Sequence, residues 1–215
     1  MNPIGHFITL EGIEGAGKST LARALESALR QRALNVRVTR EPGGTPLAEQ
    51  LRALVLARGP EPISAESETL LMFAARAIHL ENLIRPALSS GTWVICDRFT
   101  DATRAYQGAG RQVDAELIER LADMVHGDMW PERSLVLDLP VGLALARVRN
   151  REGQGDRFED EDRDFFERVR SCYLDLAENE PRRVRVIDGA CAPERVLEQA
   201  LEAIADLLPA PASHE

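Results

Sequence analysis

The chain has fewer basic than acidic residues, little cysteine and no long apolar runs. Its 215 residues carry 26 lysines and arginines against 35 aspartates and glutamates, a formal net charge of −9. Non-specific nucleic-acid binding needs a basic surface, so this balance argues against it. Cys96, Cys172 and Cys191 are odd in number and widely spaced. They form no metal or redox motif. No apolar stretch approaches the roughly 18 residues that span a bilayer, and the first five residues are polar enough that no signal peptide is expected. Free thiols then fit a reducing cytoplasm. The four histidines lie far apart, and each reads as an ordinary core or surface residue. No internal repeat interrupts the chain, whose length suits one sizeable domain.

Against those absences one stretch stands out. Phe7 to Leu10 is a short apolar run of strand type ending at Gly12. From there G-x-x-x-x-G-K-[ST] is filled by Gly12, Gly17, Lys18 and Ser19. A periodic helix follows directly, with Leu21, Leu25, Ala28 and Leu29 on one face to about Arg32. Strand, glycine loop and helix are the order a phosphate-binding loop requires. The glycines let backbone N–H groups turn inward around phosphate oxygens, and the helix adds the positive end of its dipole. Gly12, Ile13, Glu14, Gly15, Ala16, Gly17, Lys18, Ser19 and Thr20 are therefore expected to cradle the phosphates of a nucleoside triphosphate. Lys18 supplies a cation for the terminal phosphates, and Ser19 a hydroxyl for Mg2+.

The rest of the chain alternates strands with helices. Asn35 to Thr39 reads as a strand, broken by Arg40-Glu41-Pro42-Gly43-Gly44-Thr45, an open turn at a strand's carboxyl end where α/β sheets bind ligands. Helices are expected from Pro46 to about Leu56 and from about Ala65 toward Leu88, ending or bending at Pro86. The apolar run Leu70 to Ala75 suggests central burial, with Arg76 needing a partner there. Thr92 to Asp97 is a third strand, ending in Asp97-Arg98. Beside a phosphate loop that aspartate is a magnesium holder, and Arg98 is a fork for anions. The glycines of Tyr106 to Arg111 read as a turn. Asp114 caps a helix containing Leu117, Ile118, Leu121 and Val125. Strands follow at Ser134 to Leu139 and Val184 to Ile187. Helices follow at Val141 to Asn150, Asp162 to Asn179 and Pro193 to Leu208. Arg147, Arg149, Arg151 and Arg157 with Gly153 and Gly155 suggest an arginine-rich lid at about 147–160. The fold expected is α/β: a P-loop NTPase fold, with a five-stranded parallel β-sheet and helices on both faces. It forms one domain over 1–208, with 209–215 a disordered tail.

In order and spacing these pieces resemble the bacterial thymidylate kinases of the P-loop nucleoside monophosphate kinase superfamily. The resemblance rests on Gly12 to Thr20, Thr39 to Thr45, Phe73-Ala74-Ala75-Arg76, Asp97-Arg98, Ala105-Tyr106-Gln107-Gly108 and Asp156-Arg157. It implies transfer of the γ-phosphoryl group of ATP to dTMP with Mg2+, in a cytoplasmic homodimer. Lys18, Arg98, Arg149 and Arg151 would be catalytic, and Ser19 and Asp97 would hold the metal. The dTMP site would comprise Glu41, Pro42, Arg52, Phe73, Arg76, Arg98, Thr103, Tyr106 and Gln107. Arg52 would hold the acceptor phosphate, Arg76 would donate to thymine, and an aromatic ring would stack on it, with Met72 or Phe73 at that place. The chain departs from the family in having Met72 four residues before Arg76, where the stacking phenylalanine is usual. It also has Asp101-Ala102-Thr103 for Asp-Ser-Ser, and Phe99 for a tyrosine. Glu14, with arginines in the lid, resembles the bacterial subtype. Two alternatives stay open: another P-loop nucleoside or nucleotide kinase, and a nucleotide-switched binding protein. A GTPase would need Asn-Lys-x-Asp, which the sequence lacks.

Overall fold

The computed structural model describes residues 5–150, 157–158 and 160–209. Phe7 to Glu11 forms β1, fully buried along its length. A strand covered on both faces has no polar side to alternate, which is why its Phe-Ile-Thr-Leu run is nearly continuous in apolar residues. β2 (Val36–Arg40), β3 (Trp93–Asp97), β4 (Arg133–Asp138) and β5 (Val184–Asp188) complete a five-stranded sheet of order β2-β3-β1-β4-β5. Every neighbouring pair is parallel. The strand order turns about β1, and open α/β sheets bind ligands outside the carboxyl ends at such a point. Register brings Leu10 level with Asp97 on β3 and with Leu135 on β4. The loop after β1 and the Asp97-Arg98 end of β3 therefore share one edge.

Helix α1 (Lys18–Arg30) buries Leu21, Leu25 and Leu29 in the core that also takes Ile8, Leu10 and Ile95. The alternate side chains Phe7, Val94 and Cys96 face the opposite way, onto Leu80 and Ile84. Both faces are thus covered. Helices α2 (Pro46–Leu56) and α3 (Ala65–His79) begin at Thr45 and Ser64, whose hydroxyls accept from Ala48 N and Ser67 N. Pro86 does not stop the chain. After α3 a wide turn, Leu80–Ile84, leads into α4 (Arg85–Ser89), where Pro86 sits in the first turn and needs no N–H. The run Leu70 to Ala75 is only partly buried. Phe73 and Ala75 face inward, whereas Leu70 is 53% exposed, since six consecutive helical residues must wrap the axis.

The Tyr106–Arg111 stretch is not the turn its glycines suggest. It continues α5 (Thr100–Thr103) as a wide helical segment, Arg104–Gly110. The glycine there serves close packing: a Cβ on Gly110 would lie 2.5 Å from the Phe165 ring of α8 (Arg163–Asn179). Helix α6 (Ala115–His126) is capped by Asp114, as the sequence indicates. Helices α7 (Val141–Arg149) and α9 (Pro193–Ala203) complete the cover, α9 giving way to a short 3-10 turn at Ala205–Leu207.

Candidate active site

The loop between β1 and α1 has the backbone its sequence predicts. Gly12, Gly15 and Gly17 take φ of 125°, 78° and 106°. A Cβ at Gly12 would lie 2.6 Å from Leu137 O, and one at Gly15 2.4 Å from Ala144 O. Only glycine lets this loop press against β4 and α7. Among the described residues, no backbone carbonyl accepts from the amides of Gly15, Gly17, Lys18 and Ser19, so these donors are left for an anion. Lys18 is buried and donates from Nζ to the carbonyls of Gly12 and Ile13, both at 3.0 Å. Burial and the nearby Arg98 cation lower its pKa, against the pull of Asp97, Glu14 and Glu11. Ser19 Oγ lies 3.5 Å from Asp97 Oδ2. Asp97 Oδ1 is buried with no hydrogen-bond partner among the described residues. A hydroxyl and an unpaired carboxylate oxygen beside a phosphate cradle fit a hard divalent cation.

Next to this cradle Arg98 is held from three sides. Its φ of 74° is unusual for a non-glycine residue, a strain that folds tolerate at functional positions. Its Nη2 donates to Glu14 Oε1 at 2.7 Å and to Tyr106 Oη at 2.9 Å, and its Nη1 reaches Tyr173 Oη at 3.4 Å. The guanidinium stacks 4.4 Å from the Tyr106 ring centroid. Tyr106 in turn donates to Glu14 Oε2 at 2.6 Å. Burial pushes the Glu14 carboxyl up, but Arg98, Lys18 and the Tyr106 hydroxyl hold it below the usual range. Glu14 thus remains an anion that orients Arg98, a role its position in the phosphate loop does not reveal by itself.

Beneath lies Glu11, the last residue of β1, fully buried. It accepts from Phe99 N at 2.9 Å and pairs with Tyr173 Oη at 2.9 Å. Burial, with Asp101 nearby, pushes its carboxyl from 4.5 up to about 8. The folded chain therefore keeps this proton longer than the unfolded chain. Its stabilisation is full below the unfolded value of 4.5 and is lost as pH rises through about 8. Glu11→Gln keeps the shape without the titration. Melting followed from pH 5.5 to 8.5 should show the wild type losing roughly 5 °C or more relative to the variant, at about 2–4 °C per kcal/mol for a chain of this size. Parallel melting curves would mean that Glu11 is ionised throughout.

The cradle opens into a cleft of about 490 Å3, and the cleft's far end is polar but buried. Arg76 donates from Nε to Glu41 Oε2 at 2.7 Å and from Nη2 to Thr103 Oγ1 at 3.1 Å. Its Nη1 is buried without a hydrogen-bond partner among the described residues. The guanidinium carbon lies 4.7 Å and 5.0 Å from the ring centroids of Phe73 and Phe99. Behind Glu41, His79 continues the chain: Nδ1 is 3.1 Å from Glu41 Oε1 and Nε2 is 2.7 Å from Thr39 Oγ1. Glu41, His79 and Cys96 bring three potential metal-ligand atoms within 4.8 Å. All are already engaged, Cys96 donating to Arg98 O, and burial pushes its thiol up. A Cβ on Gly44 would lie 2.4 Å from His79 Nε2, so the second glycine of the Pro-Gly-Gly turn makes room for that imidazole. Across from Arg76, Gln107 Nε2 donates to Glu68 Oε1 at 2.6 Å.

Most of the expected site residues meet in this one cleft. Glu14, Gly15, Gly17, Lys18, Ser19, Thr20, Glu41, Pro42, Arg52, Arg76, Asp97, Arg98, Thr103, Tyr106 and Gln107 all line it. Gly12, Ile13 and Ala16 lie behind the loop, where Gly12 and Ile13 hold Lys18 through their carbonyls. Arg52 donates to Pro42 O at 2.9 Å. Phe73 does not line the cleft. One residue is about 100° of helix, so Met72 faces the cleft and Phe73 turns toward Ile118 and Leu121 of α6. It supports the Arg76 guanidinium instead of offering its ring to a base. Arg149, the last residue of α7, is exposed and outside the lining. The solvent side of a helix end suits its charge. Arg151 and half of the expected lid, residues 151–156 and 159, lie outside the described residues. Phe99, Phe158 and Leu56, which sequence reasoning did not select, also line the cleft. Tyr173 and Glu68 were missed as well.

A doubly covered parallel sheet, a phosphate loop at its turning point and a second buried polar subsite facing it define a P-loop nucleotide kinase. A protein-family model described as thymidylate kinase matches residues 10–200. A thymidylate kinase of Pseudomonas syringae pv. tomato is 56% identical over 186 residues, 86% of this chain and 88% of that protein. One of Bordetella pertussis is 49% identical over 208 residues, 97% and 98% of the two chains. The crystal structure of thymidylate kinase from Ehrlichia chaffeensis superposes with a TM-score of 0.74 at 35% identity, covering 96% of this chain and all of that one. The chain belongs to the thymidylate kinase family. Among the described residues, no helix is long and apolar enough to cross a membrane.

Proposed function

We propose that the protein transfers the γ-phosphoryl group of ATP to dTMP, giving dTDP and ADP. The observation that carries this reading is Arg76, a guanidinium buried at the end of the cleft opposite the phosphate loop with Nη1 unpaired. An arginine can only donate, and thymine O4 accepts. ATP lies with its phosphates on the amides of Gly15 to Ser19, and Lys18 turns its Nζ from the loop carbonyls to the terminal phosphates. Arg98, aimed by Glu14, Tyr106 and Tyr173, lies between the two subsites and neutralises charge on the transferred group. Arg52 and Pro42 bracket the acceptor phosphate, and Met72 and Phe99 give the base its apolar walls. Little covalent work falls to the protein; its part is positioning and charge neutralisation.

Ser19 and Asp97 would hold Mg2+, which would supply charge neutralisation at the donor phosphates. Arg149 and Arg151 are the further cations proposed for the transferred group. The chain acts as a single domain over 1–208, with its lid near 147–160. The unpaired Cys96, Cys172 and Cys191 support a cytoplasmic location. A homodimer is supported by exposed Leu54, Leu70 and Met124, side chains that a second copy would cover. The decisive measurement is ADP release over a panel of nucleoside monophosphates. Turnover should be highest with dTMP. Comparable turnover of several purine monophosphates, with none of dTMP, would overturn the reading.

A further inference from the structure

We propose that Glu68 is a positioning residue that fixes which end of the Gln107 side-chain amide faces the cleft, making Gln107 an acceptor toward the base. This rests on the thymidylate reading above. Glu68 is a carboxylate only 1% exposed, in the first turn of α3 and outside the cleft lining. Its Oε1 is 2.6 Å from Gln107 Nε2. Its Oε2 is 2.7 Å from Arg157 Nη2 and 3.4 Å from Arg111 Nε. Arg111 is itself tied to Glu161 at 2.7 Å. Glu68 therefore cannot swing away from Gln107 without abandoning two guanidinium partners.

A carboxylate oxygen accepts and cannot donate, whereas a glutamine amide donates at one end and accepts at the other. The contact therefore admits one orientation: the NH2 end toward Glu68 and the oxygen toward the cleft. Gln107 lines the cleft, and its Oε1 takes no hydrogen bond among the described residues. Thymine offers that oxygen its N3–H donor and offers Arg76 its O4 acceptor. Cytosine reverses both, with an acceptor at N3 and an amino donor at C4. Proteins read unpaired bases along this edge. With the amide fixed, cytosine is opposed at two positions; with the amide free to flip, only Arg76 opposes it. Glu68 and Arg76 lie on the same helix, so α3 sets both halves of the reading.

Glu68→Gln tests this, because a glutamine at 68 can present either an oxygen or an amino group and no longer dictates the orientation of Gln107. The ratio of catalytic efficiencies for dTMP over dCMP should fall about tenfold or more, a buried polar mismatch being worth at least that. KM for dTMP should rise while kcat at saturation stays within about twofold, as for loss of uniform binding. In a Gln107→Ala background, Glu68→Gln should leave the ratio where Gln107→Ala alone puts it. Glu68→Asp keeps an acceptor-only group and should retain the wild-type ratio even where KM rises. An unmoved ratio in Glu68→Gln, an equal fall in the Gln107→Ala background, or the same fall with Asp overturns the proposal. If the wild type fails to phosphorylate dTMP at all, the functional reading falls and this inference with it. Wild-type activity with an unmoved ratio sinks the inference alone.

Discussion

Lys18→Ala is expected to lower turnover by about a hundredfold or more, the typical cost of one preorganised charge-stabilising donor. The side chain is 8% exposed, at the floor of the cleft, with Nζ within 3.0 Å of two loop carbonyls. Those contacts let the cation wait in place, and the transferred phosphoryl group presents stronger acceptors than a carbonyl. Arginine at this position would not substitute, since its fork is larger and less compact than an ammonium. The fold should survive the change. The Gly12 and Ile13 carbonyls lose a donor but lie beside an open cleft where water can replace it. Single-turnover rates at saturating ATP and dTMP, with a melting curve, separate the two effects. Near-normal turnover in a folded variant would mean that the loop binds nucleotide without contributing to the chemistry.

What could be read from the sequence was what is local. The phosphate loop, the Pro-Gly-Gly turn, the Asp97-Arg98 strand end and the Asp114 cap each need a few consecutive residues of fixed type, and each is where it was expected. What stayed open in the sequence and what was misread share a cause. Met72 and Phe73 are neighbours in sequence but differ by about 100° on the helix, and only the packing of α6 on α3 decides which one faces the cleft. The glycines near 108 imitate a turn because the reason for Gly110, the Phe165 ring, lies 55 residues later in the numbering. The pairs Glu11–Tyr173 and Glu14–Tyr106 are separated by 162 and 92 residues. No local pattern encodes such partners. Glu68 was hidden differently: an acid in the first turns of a helix reads as a dipole partner, and only its burial reveals another role.

Arg76→Ala is expected to lower the dTMP-to-dCMP ratio of catalytic efficiencies by about a hundredfold or more, because a site built to donate rejects a base that cannot accept. The structure gives Arg76 a second role that must be separated from the first. Its buried ion pair with Glu41, 2.7 Å between atoms, predicts instability when the arginine is removed, commonly about 3–5 kcal/mol for breaking one side of such a pair. An arginine that only held Glu41 would lower the melting temperature of the variant and leave the ratio in the surviving folded fraction unchanged. An arginine that also reads the base moves both. Arg76→Lys divides the roles further. It keeps a cation near Glu41 but gives up the fork that places Nη1 and Nη2 on opposite tasks, so stability should largely return while much of the discrimination stays lost. The 5-methyl group supplies a smaller preference for dTMP over dUMP, about tenfold to two hundredfold, as a single methylene-sized contact does. That preference should persist in both variants, since it depends on the apolar walls of the cleft. His126 offers an independent probe. Burial and the Arg76 cation hold its pKa down at about 4, so removing the cation should raise it without touching the His126 contacts to Thr100 and Gly127. A folded Arg76→Ala protein in which the His126 titration moves but the dTMP-to-dCMP ratio does not would show the guanidinium to be structural, and would remove the main physical support for thymidylate as the substrate.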